Sequence, residues 1–445
     1  MNWLIERIKE GGDKTAVVFK GREYSYFSLY ECICSNYVLV SDQFKPGDVI
    51  AIVADYSFES IALFFALEEN RNIIVPITTQ IQSEIADRIS TAGVNFSVTI
   101  ENGQWISKKE PVSGGTHHLV RQLQDDGHAG LVLFSSGSTG KPKAMIHNLD
   151  NLIDTYKGKR KKNLVFLIFL MFDHIGGLNT LLSCLSMNVK MVFPDSRDPD
   201  HVANLIQTYK VVVLPASPTF LNLMLIAECN KRYDLSSIHM ITYGTEPMPE
   251  SLLIKLKDAF PNVRFLQTFG TSETGITATT SYSSASTFLK IDDPNTEYRI
   301  VEGELWLRSK TQIMGYLNAD MSRFTDDGWF RTGDMVEEKD GYIRIIGRNT
   351  DIINVGGEKV LPSEVESVIF SMPHVNDCIV YGEKNPITGQ MVVAKIMYDT
   401  DVKLTDLKKK VVNFCSDKLA RYKIPAKVVL MTESEYSERF KKKRR

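Results

Sequence analysis

Ser135-Ser136-Gly137-Ser138-Thr139-Gly140-Lys141-Pro142-Lys143 follows directly on the apolar run Leu131–Phe134. A short strand that opens into a loop of glycines and hydroxyls suits an α/β protein, where ligands sit beyond the carboxyl ends of the strands. Glycines let the backbone approach an anion closely, and hydroxyls and backbone N–H groups can donate to its oxygens. Two lysines add charge. The kinase-type phosphate loop, GxxxxGK[ST], does not fit: Pro142 follows Lys141, and Ser135 stands where the first glycine belongs.

Working outward, the same rhythm recurs. Val49–Ala54 is a strand-like run, Glu59–Leu67 has a helical pattern, and Ile73–Ile77 is apolar again. Val189–Phe193, Val211–Pro215 and His239–Tyr243 continue the alternation, and Gly244–Glu246 follows the last of these as Ser135–Gly140 follows Phe134. Buried strands separated by helices predict an α/β fold with largely parallel sheets. Near residue 300 the pattern changes: Glu304–Arg308 and Gly341–Gly347 predict a small β-rich subdomain. Beyond Asp351 a helix over Pro362–Phe370, strands over Asp377–Tyr381 and Val392–Tyr398, a helix over Leu404–Leu419 and a strand over Lys427–Met431 make an α+β unit with its own small core. The expected division is a large domain, 1–348, and a small mobile domain, 349–445.

Composition narrows the function. Of 445 residues 43% are hydrophobic and 24% charged, and the formal net charge is −2. That balance gives no reason to expect nucleic acid as the main partner. The start, MNWLIERIKEGGDK, carries Glu6 and Glu10 and does not read as a secretory signal. Leu164–Phe172 is the most apolar run, far below the roughly 20 residues of a membrane span, and reads as a buried parallel strand. The six cysteines form no CxxC pair and no zinc-spaced cluster, so reduced thiols in a cytoplasmic protein are expected.

Further stretches stand in a definite order: Tyr243-Gly244-Thr245-Glu246-Pro247, Phe269-Gly270-Thr271-Ser272-Glu273-Thr274, Gly303-Glu304-Leu305-Trp306-Leu307, Met314-Gly315-Tyr316-Leu317, Trp329-Phe330-Arg331-Thr332-Gly333-Asp334, Gly347-Arg348 and Gly356-Gly357-Glu358. Together with the loop at 135–143 they resemble the adenylate-forming superfamily, which includes acyl- and aryl-CoA synthetases, nonribosomal peptide adenylation domains and luciferases. The resemblance spans most of the chain. It implies that ATP is bound by Ser135, Ser136, Gly137, Ser138, Thr139, Gly140 and Lys143, with Gly244, Thr245, Glu246 and Pro247 lining the adenine. Phe269, Gly270, Thr271 and Ser272 would flank it, Phe269 standing where tyrosine is more usual. Glu273 is the Mg²⁺ candidate, since that ion prefers hard oxygen ligands and bridges to phosphate. Asp334 would accept from the ribose hydroxyls, and Arg348 would reach ribose or phosphate.

By the same resemblance, a lysine near the chain end neutralises charge during adenylation. Lys441 fits best, with Lys442 and Lys443 as rivals and Phe440 where the family has glycine. Thr350 occupies the hinge position, usually Asp or Lys, and Gly356 and Gly357 would line a channel for an incoming thiol. Phe172-Asp173-His174-Ile175-Gly176-Gly177 resembles the segment that gates the acid pocket, His174 being the gate; Gly270 and Thr274 would add to the pocket wall. Asp173 would pair with a substrate ammonium if the acid were an amino acid. The implied activity is attack of a carboxylate on the ATP α-phosphorus, giving acyl-AMP and pyrophosphate. Transfer to the thiol of coenzyme A, or to the phosphopantetheine of an acyl carrier protein, would follow. A stand-alone amino-acid adenylating enzyme and a nucleotide-binding pseudoenzyme are the alternatives, the latter suggested by Phe440, Thr350 and Ala144.

Overall fold

The computed structural model describes residues 2–112, 115–135, 142–400, 402–437 and 440–443. Two seven-stranded sheets form the body of the large domain. In the first, Ile73–Ile77 lies between Val49–Val53 and Gly130–Ser135, all parallel, and Lys143–Asn148 returns antiparallel against Gly130–Ser135. In the second, Arg264–Gln267, Met240–Tyr243, Val213–Ala216, Val165–Leu167, Lys190–Phe193 and Thr15–Phe19 run parallel in that order, and Arg22–Ser25 closes the edge antiparallel. Near-continuous apolar runs form these strands because both sheet faces are covered. The helix Phe58–Glu69 is buried on almost every side, as its lack of a polar face demands. Ser57 and Ser60 cap its N-terminus reciprocally.

Leu164–Phe172 is not one strand. Only Val165–Leu167 joins the ladder, opposite Lys190–Val192; Phe169 and Phe172 are buried by side-chain packing instead. The chain then turns into the helix Ile175–Ser186, and that turn faces the cleft described below.

A six-stranded antiparallel sheet built from 279–348 follows, and a last sheet of five strands lies wholly within 353–430. The helix Pro362–Phe370 has the bounds expected from its sequence, with proline in its first turn, where no N–H is missed. Val375–Asn385, Gly389–Tyr398 and Lys427–Leu430 pair as a sheet against which the helices pack. One apolar cluster runs from Phe220, Leu252 and Phe265 of the large domain to Ile369, Phe370 and Cys378 of the C-terminal unit. Polar contacts secure the seam: Asn222 Nδ2 donates to the Asn376 carbonyl (3.0 Å) and Lys255 Nζ to the Val375 carbonyl (3.1 Å). Among the described residues no cysteine is joined in a disulfide. Among the described residues no helix is long and apolar enough to cross a membrane.

Candidate functional site

One cleft of about 600 Å³ opens between the large domain and the C-terminal unit. Ser135 and Lys143 both line it, and they are register partners across the hairpin of Gly130–Ser135 and Lys143–Asn148. Ser136, Gly137, Ser138, Thr139, Gly140 and Lys141 lie outside the described residues. Asn318 pins this hairpin, accepting from Ala144 N (2.8 Å) and donating to the Pro142 carbonyl (2.9 Å).

Phe269, Gly270, Thr271, Ser272 and Glu273 reach the cleft on a two-stranded hairpin. Gly270 is required there: a Cβ would stand 2.4 Å from the Gly275 carbonyl oxygen. Glu273 Oε1 accepts from Tyr316 OH (3.1 Å), and Lys143 Nζ stands 5.0 Å from the centre of the Tyr316 ring. Burial first, and then the neighbouring Glu273 charge, push the Tyr316 phenol well up, so it stays a donor.

Asp334 and Arg348 face each other as register partners of the antiparallel strands Phe330–Lys339 and Tyr342–Arg348, which explains their spacing in sequence. Arg348 Nε donates to Asp334 Oδ1 (3.0 Å). Asp334 is buried, and burial raises its carboxyl above the ordinary range, opposed by the charges of Arg348, Arg323 and Lys441. Gly333, at φ +75°, turns the chain so that its N–H meets Glu304 Oε1 (2.7 Å). Lys143, Arg323, Arg331, Arg348 and Lys441 thus line the cleft against Glu273 and Glu304, a balance suited to a polyanion.

Gly244 and Thr245 also line the cleft, at the carboxyl end of Met240–Tyr243. A Cβ on Gly244 would meet the Thr268 carbonyl at 2.7 Å. Thr245 sits at φ +73°, and its buried hydroxyl has no partner among the described residues. A buried hydroxyl on a cleft wall that no protein group satisfies fits a bound ligand with polar edges, as a nucleotide has. For Mg²⁺ the donors also fit. Among the described residues no cluster of three acidic, His or Cys side chains could hold an ion alone. Mg²⁺ bound with ATP needs only one or two carboxylates besides phosphate and water, and Glu273 supplies one.

Lys441 lines the cleft, whereas Lys442 is turned away: its Nζ donates to the Cys378 carbonyl (2.7 Å) and lies 3.5 Å from Asp377. Phe440 has φ +51°, the left-handed conformation that glycine adopts freely. An ordinary residue there costs roughly 1–2 kcal/mol. Its ring packs against Phe169 (5.2 Å), Phe220 (5.3 Å) and Tyr436 (5.2 Å). Full burial of a Phe side chain contributes about 1.5–3 kcal/mol, and the partly buried Phe440 gains a share of this, comparable with the strain.

At the other end of the cleft His174, Leu170, Ile175, Asn179, Thr180 and Ile276 form a largely uncharged recess. His174 both borders it and caps its own helix, accepting from Gly176 N through Nδ1 (3.0 Å). Asn179 lies five residues along the helix, about 7.5 Å further in. Tyr156 OH donates to Asn179 Oδ1 (2.6 Å), so the amide oxygen is held by the protein.

Other expected residues lie elsewhere. Asp173 is buried and ion-paired with Arg88 (3.1 Å), and it is not on the cleft wall. The acidic group that an ammonium substrate would require is therefore not offered at this position. Glu246 is engaged by the protein: Oε1 accepts from Thr219 N (2.7 Å) and Oε2 from Lys442 N (3.3 Å). Neither it nor Pro247 lines the cleft. Thr274 bonds Thr271 inside the turn (Oγ1 to Oγ1, 2.9 Å). Gly356 and Gly357, at φ +60° and +93°, form the turn between Ile353–Val355 and Glu358–Val360, away from the cleft. Thr350 lines the cleft within the short turn Asn349–Asp351. Sequence reasoning assigned no role to Tyr316, Asn318, Arg323 or Asn179. Tyr316 and Asn318 were within reach of it, because both stand in or beside the quoted Gly315-Tyr316-Leu317.

A cleft lined by cationic side chains, with Glu273 held by Tyr316 and a buried Asp334 paired to the exposed Arg348, defines a nucleotide-binding α/β protein built for phosphate chemistry. The AMP-binding enzyme family model matches residues 4–317, and the AMP-binding enzyme C-terminal domain model matches 364–441. The chain belongs to the AMP-binding enzyme family, within the adenylate-forming superfamily. It is 26% identical to the 2-succinylbenzoate–CoA ligase of Bacillus cytotoxicus, over 97% of this chain and 95% of that one. The same fold occurs in o-succinylbenzoate CoA synthetase from Bacillus subtilis in complex with its acyl-adenylate intermediate (22% identity, TM-score 0.78, covering 98% of this chain and 95% of that one). ATP-bound MatB from Rhodopseudomonas palustris is another example (21% identity, TM-score 0.81, 98% and 96% covered).

Proposed function

We propose that this chain is an acid–CoA ligase that works in two half-reactions through an acyl-adenylate. The observation that carries the reading is the convergence of Ser135, Lys143, Glu273, Arg348 and Lys441 on one cleft, with Asp334 buried against Arg348. Kinship with 2-succinylbenzoate–CoA ligases over nearly the full chain supports it.

In this reading ATP lies with its adenine near Gly244 and Thr245 and its ribose against Gly333 and Arg348, where Asp334, buried behind that wall, accepts from a ribose hydroxyl. Its phosphates face Ser135, Lys143 and Arg348. Glu273 would hold Mg²⁺, which spreads the phosphate charge when bound. The acid enters the neutral recess past His174, and its carboxylate oxygen attacks the α-phosphorus in line, expelling pyrophosphate. Lys441 offsets the negative charge that gathers between carboxylate and α-phosphate. Positioning and fixed charge supply the rate, and no covalent enzyme intermediate is needed. The second half-reaction needs Lys441 withdrawn and a thiol admitted. We assign the division of labour to 1–348 and 349–445, the pivot to Thr350 and the thiol path to Gly356 and Gly357.

The recess suits an aryl or short acyl acid. Leu170, Ile175 and Ile276 are apolar walls, and the Asn179 amide offers a donor to a carbonyl, hydroxyl or second carboxylate on the part of the acid remote from the reacting group. The test is pyrophosphate–ATP exchange over a panel of aromatic and short-chain acids, with hydroxamate trapping of acyl-AMP with and without coenzyme A. The expected result is acid-dependent exchange, and thioester only when coenzyme A is present. ATP bound without exchange for any acid would favour a nucleotide-binding protein that has lost catalysis.

A further inference from the structure

Phe440 stands directly before Lys441, in a backbone conformation that bulky side chains avoid. Something must hold it there, and the large domain provides it. Phe169 and Phe220, whose ring centres are 4.0 Å apart, are both fully buried, and the Phe440 ring meets each at just over 5 Å. Tyr436 stacks on it from the tail itself, 16° from coplanar. The backbone is seated with the ring. Ser217 Oγ donates to the Phe440 carbonyl (2.8 Å) while accepting from Phe220 N (3.1 Å), so one hydroxyl caps the helix Pro218–Ile226 and holds the tail. Glu246 does the same at the neighbouring helix residue, taking Thr219 N and Lys442 N on its two oxygens. Leu170, His174 and Thr245 border both this aromatic seat and the main cleft.

From this geometry we infer that Phe440 is a positioning residue: its ring anchors the tail in the Phe169–Phe220 seat and so presents Lys441 to the reacting phosphate, favouring adenylation over transfer. The role presupposes the adenylating chemistry proposed above. A glycine at this position would free the backbone but provide no anchor. A phenylalanine accepts backbone strain in exchange for a fixed lysine. The ring must leave the seat before Lys441 can withdraw, so the anchor that favours the first half-reaction holds back the second.

Amide hydrogen exchange of the full chain tests the anchor without any substrate. Loss of the ring in Phe440→Ala should speed exchange in the tail peptide containing residues 440–443 by about tenfold or more, as expected when an aromatic side chain loses its burial. The rest of the chain should be unchanged. Phe440→Tyr, which keeps the ring, should restore protection. Equal protection in wild type and Phe440→Ala would overturn the inference.

The kinetic arm uses 2-succinylbenzoate and benzoate as probe acids. In Phe440→Ala the maximal exchange rate should fall roughly tenfold with little change in KM for ATP. Thioester formation from supplied acyl-AMP should hold or rise. Equal loss in both half-reactions would mark a merely structural residue and overturn the assignment. Lys441→Ala separates the two levels. If it abolishes exchange while Phe440→Ala leaves exchange intact, the anchor is wrong and the adenylating reading stands. If Lys441→Ala leaves exchange intact, the adenylating role of the tail fails, and the positioning role fails with it.

Discussion

The two ends of the cleft are built on different principles. The end proposed for the nucleotide is a set of fixed charges: Lys143, Arg323, Arg348 and Lys441 line it with Glu273, and Asp334 is buried behind them. The end proposed for the acid is nearly neutral, a recess of Leu170, Ile175 and Ile276 with the Asn179 amide held by Tyr156. Phosphate has the same charge and shape in every reaction, so the groups that hold it are constrained in kind. An acid pocket is set by volume and by one or two polar contacts, which many residue combinations provide. Variants at the charged end should therefore change rate for every acid, and variants at the neutral end should change which acid is used.

The largest break in that contrast is Lys441→Ala. It should lower acyl-AMP formation by about 10²–10³-fold, the scale of losing one fixed stabiliser of developing charge. Transfer from preformed acyl-AMP should stay near wild type in a two-step assay. Similar losses in both steps would remove Lys441 from the chemistry of the first.

Asp334→Asn comes next. It should raise KM for ATP about tenfold whatever the acid, because the proposed ribose acceptor becomes partly a donor. Burial already raises the Asp334 carboxyl, so wild-type ATP affinity should fall as pH drops through that raised range, earlier than for an exposed aspartate. The Asn variant should show a flatter pH profile in calorimetry or equilibrium dialysis. A profile as steep as wild type would mean that another group titrates.

Asn179→Leu sharpens the other side. It should raise KM about three- to tenfold for acids with a polar substituent and leave KM for ATP unchanged, the scale of one lost hydrogen bond. A uniform effect on polar and apolar acids would mean that Asn179 shapes the wall without contacting the substrate.

Glu68→Gln should leave the kinetics of both ends alone and change only stability. Burial pushes the Glu68 carboxyl up to about 8, opposed by the hydrogen bond from Asn2 Nδ2 (2.7 Å). The folded chain therefore binds a proton that the unfolded chain releases near the ordinary value of 4.5. Stability from this group is complete below that range and is lost as pH rises through about 8. Glutamine keeps the acceptor without the proton, so thermal melts should separate in the variant's favour as pH climbs from 6 to 9. Parallel melting curves would place the pH sensitivity elsewhere.

Much of the fold was legible because its signals are local. Apolar runs such as Ile73–Ile77 became strands and Pro362–Phe370 became a helix, since burial and proline geometry act within a few residues. Leu164–Phe172 was read as one strand because apolarity records burial but does not tell a ladder from side-chain packing; its partner strand Lys190–Phe193 is only four residues long. That Asp334 and Arg348 meet was legible because their spacing is local. Asp334 and Arg348 are a hairpin pair, and the hairpin carries both. Asp173 and Glu246 were assigned to ligands because their protein partners are distant in the chain. Arg88 is 85 residues from Asp173, and Lys442 is 196 from Glu246. No local pattern contains such pairs. The seat of Phe440 was hidden likewise: a departure from the family's glycine marked the position, but Phe169 and Phe220 could be found only in three dimensions.

The buried pair of Arg88 and Asp173 sets a limit on redesign. Arg88 reaches Asp173 beside the acid recess and also lies 5.8 Å from the centre of the Phe134 ring, on the strand that leads to Ser135. Replacing Asp173 alone would remove the buried partner of Arg88 and leave it the longer ion pair with the exposed Glu84 (3.5 Å), a destabilising change. A library aimed at new acids should therefore leave positions 88 and 173 untouched and vary 175, 179 and 276, where the wall can be recut without disturbing the machinery next door.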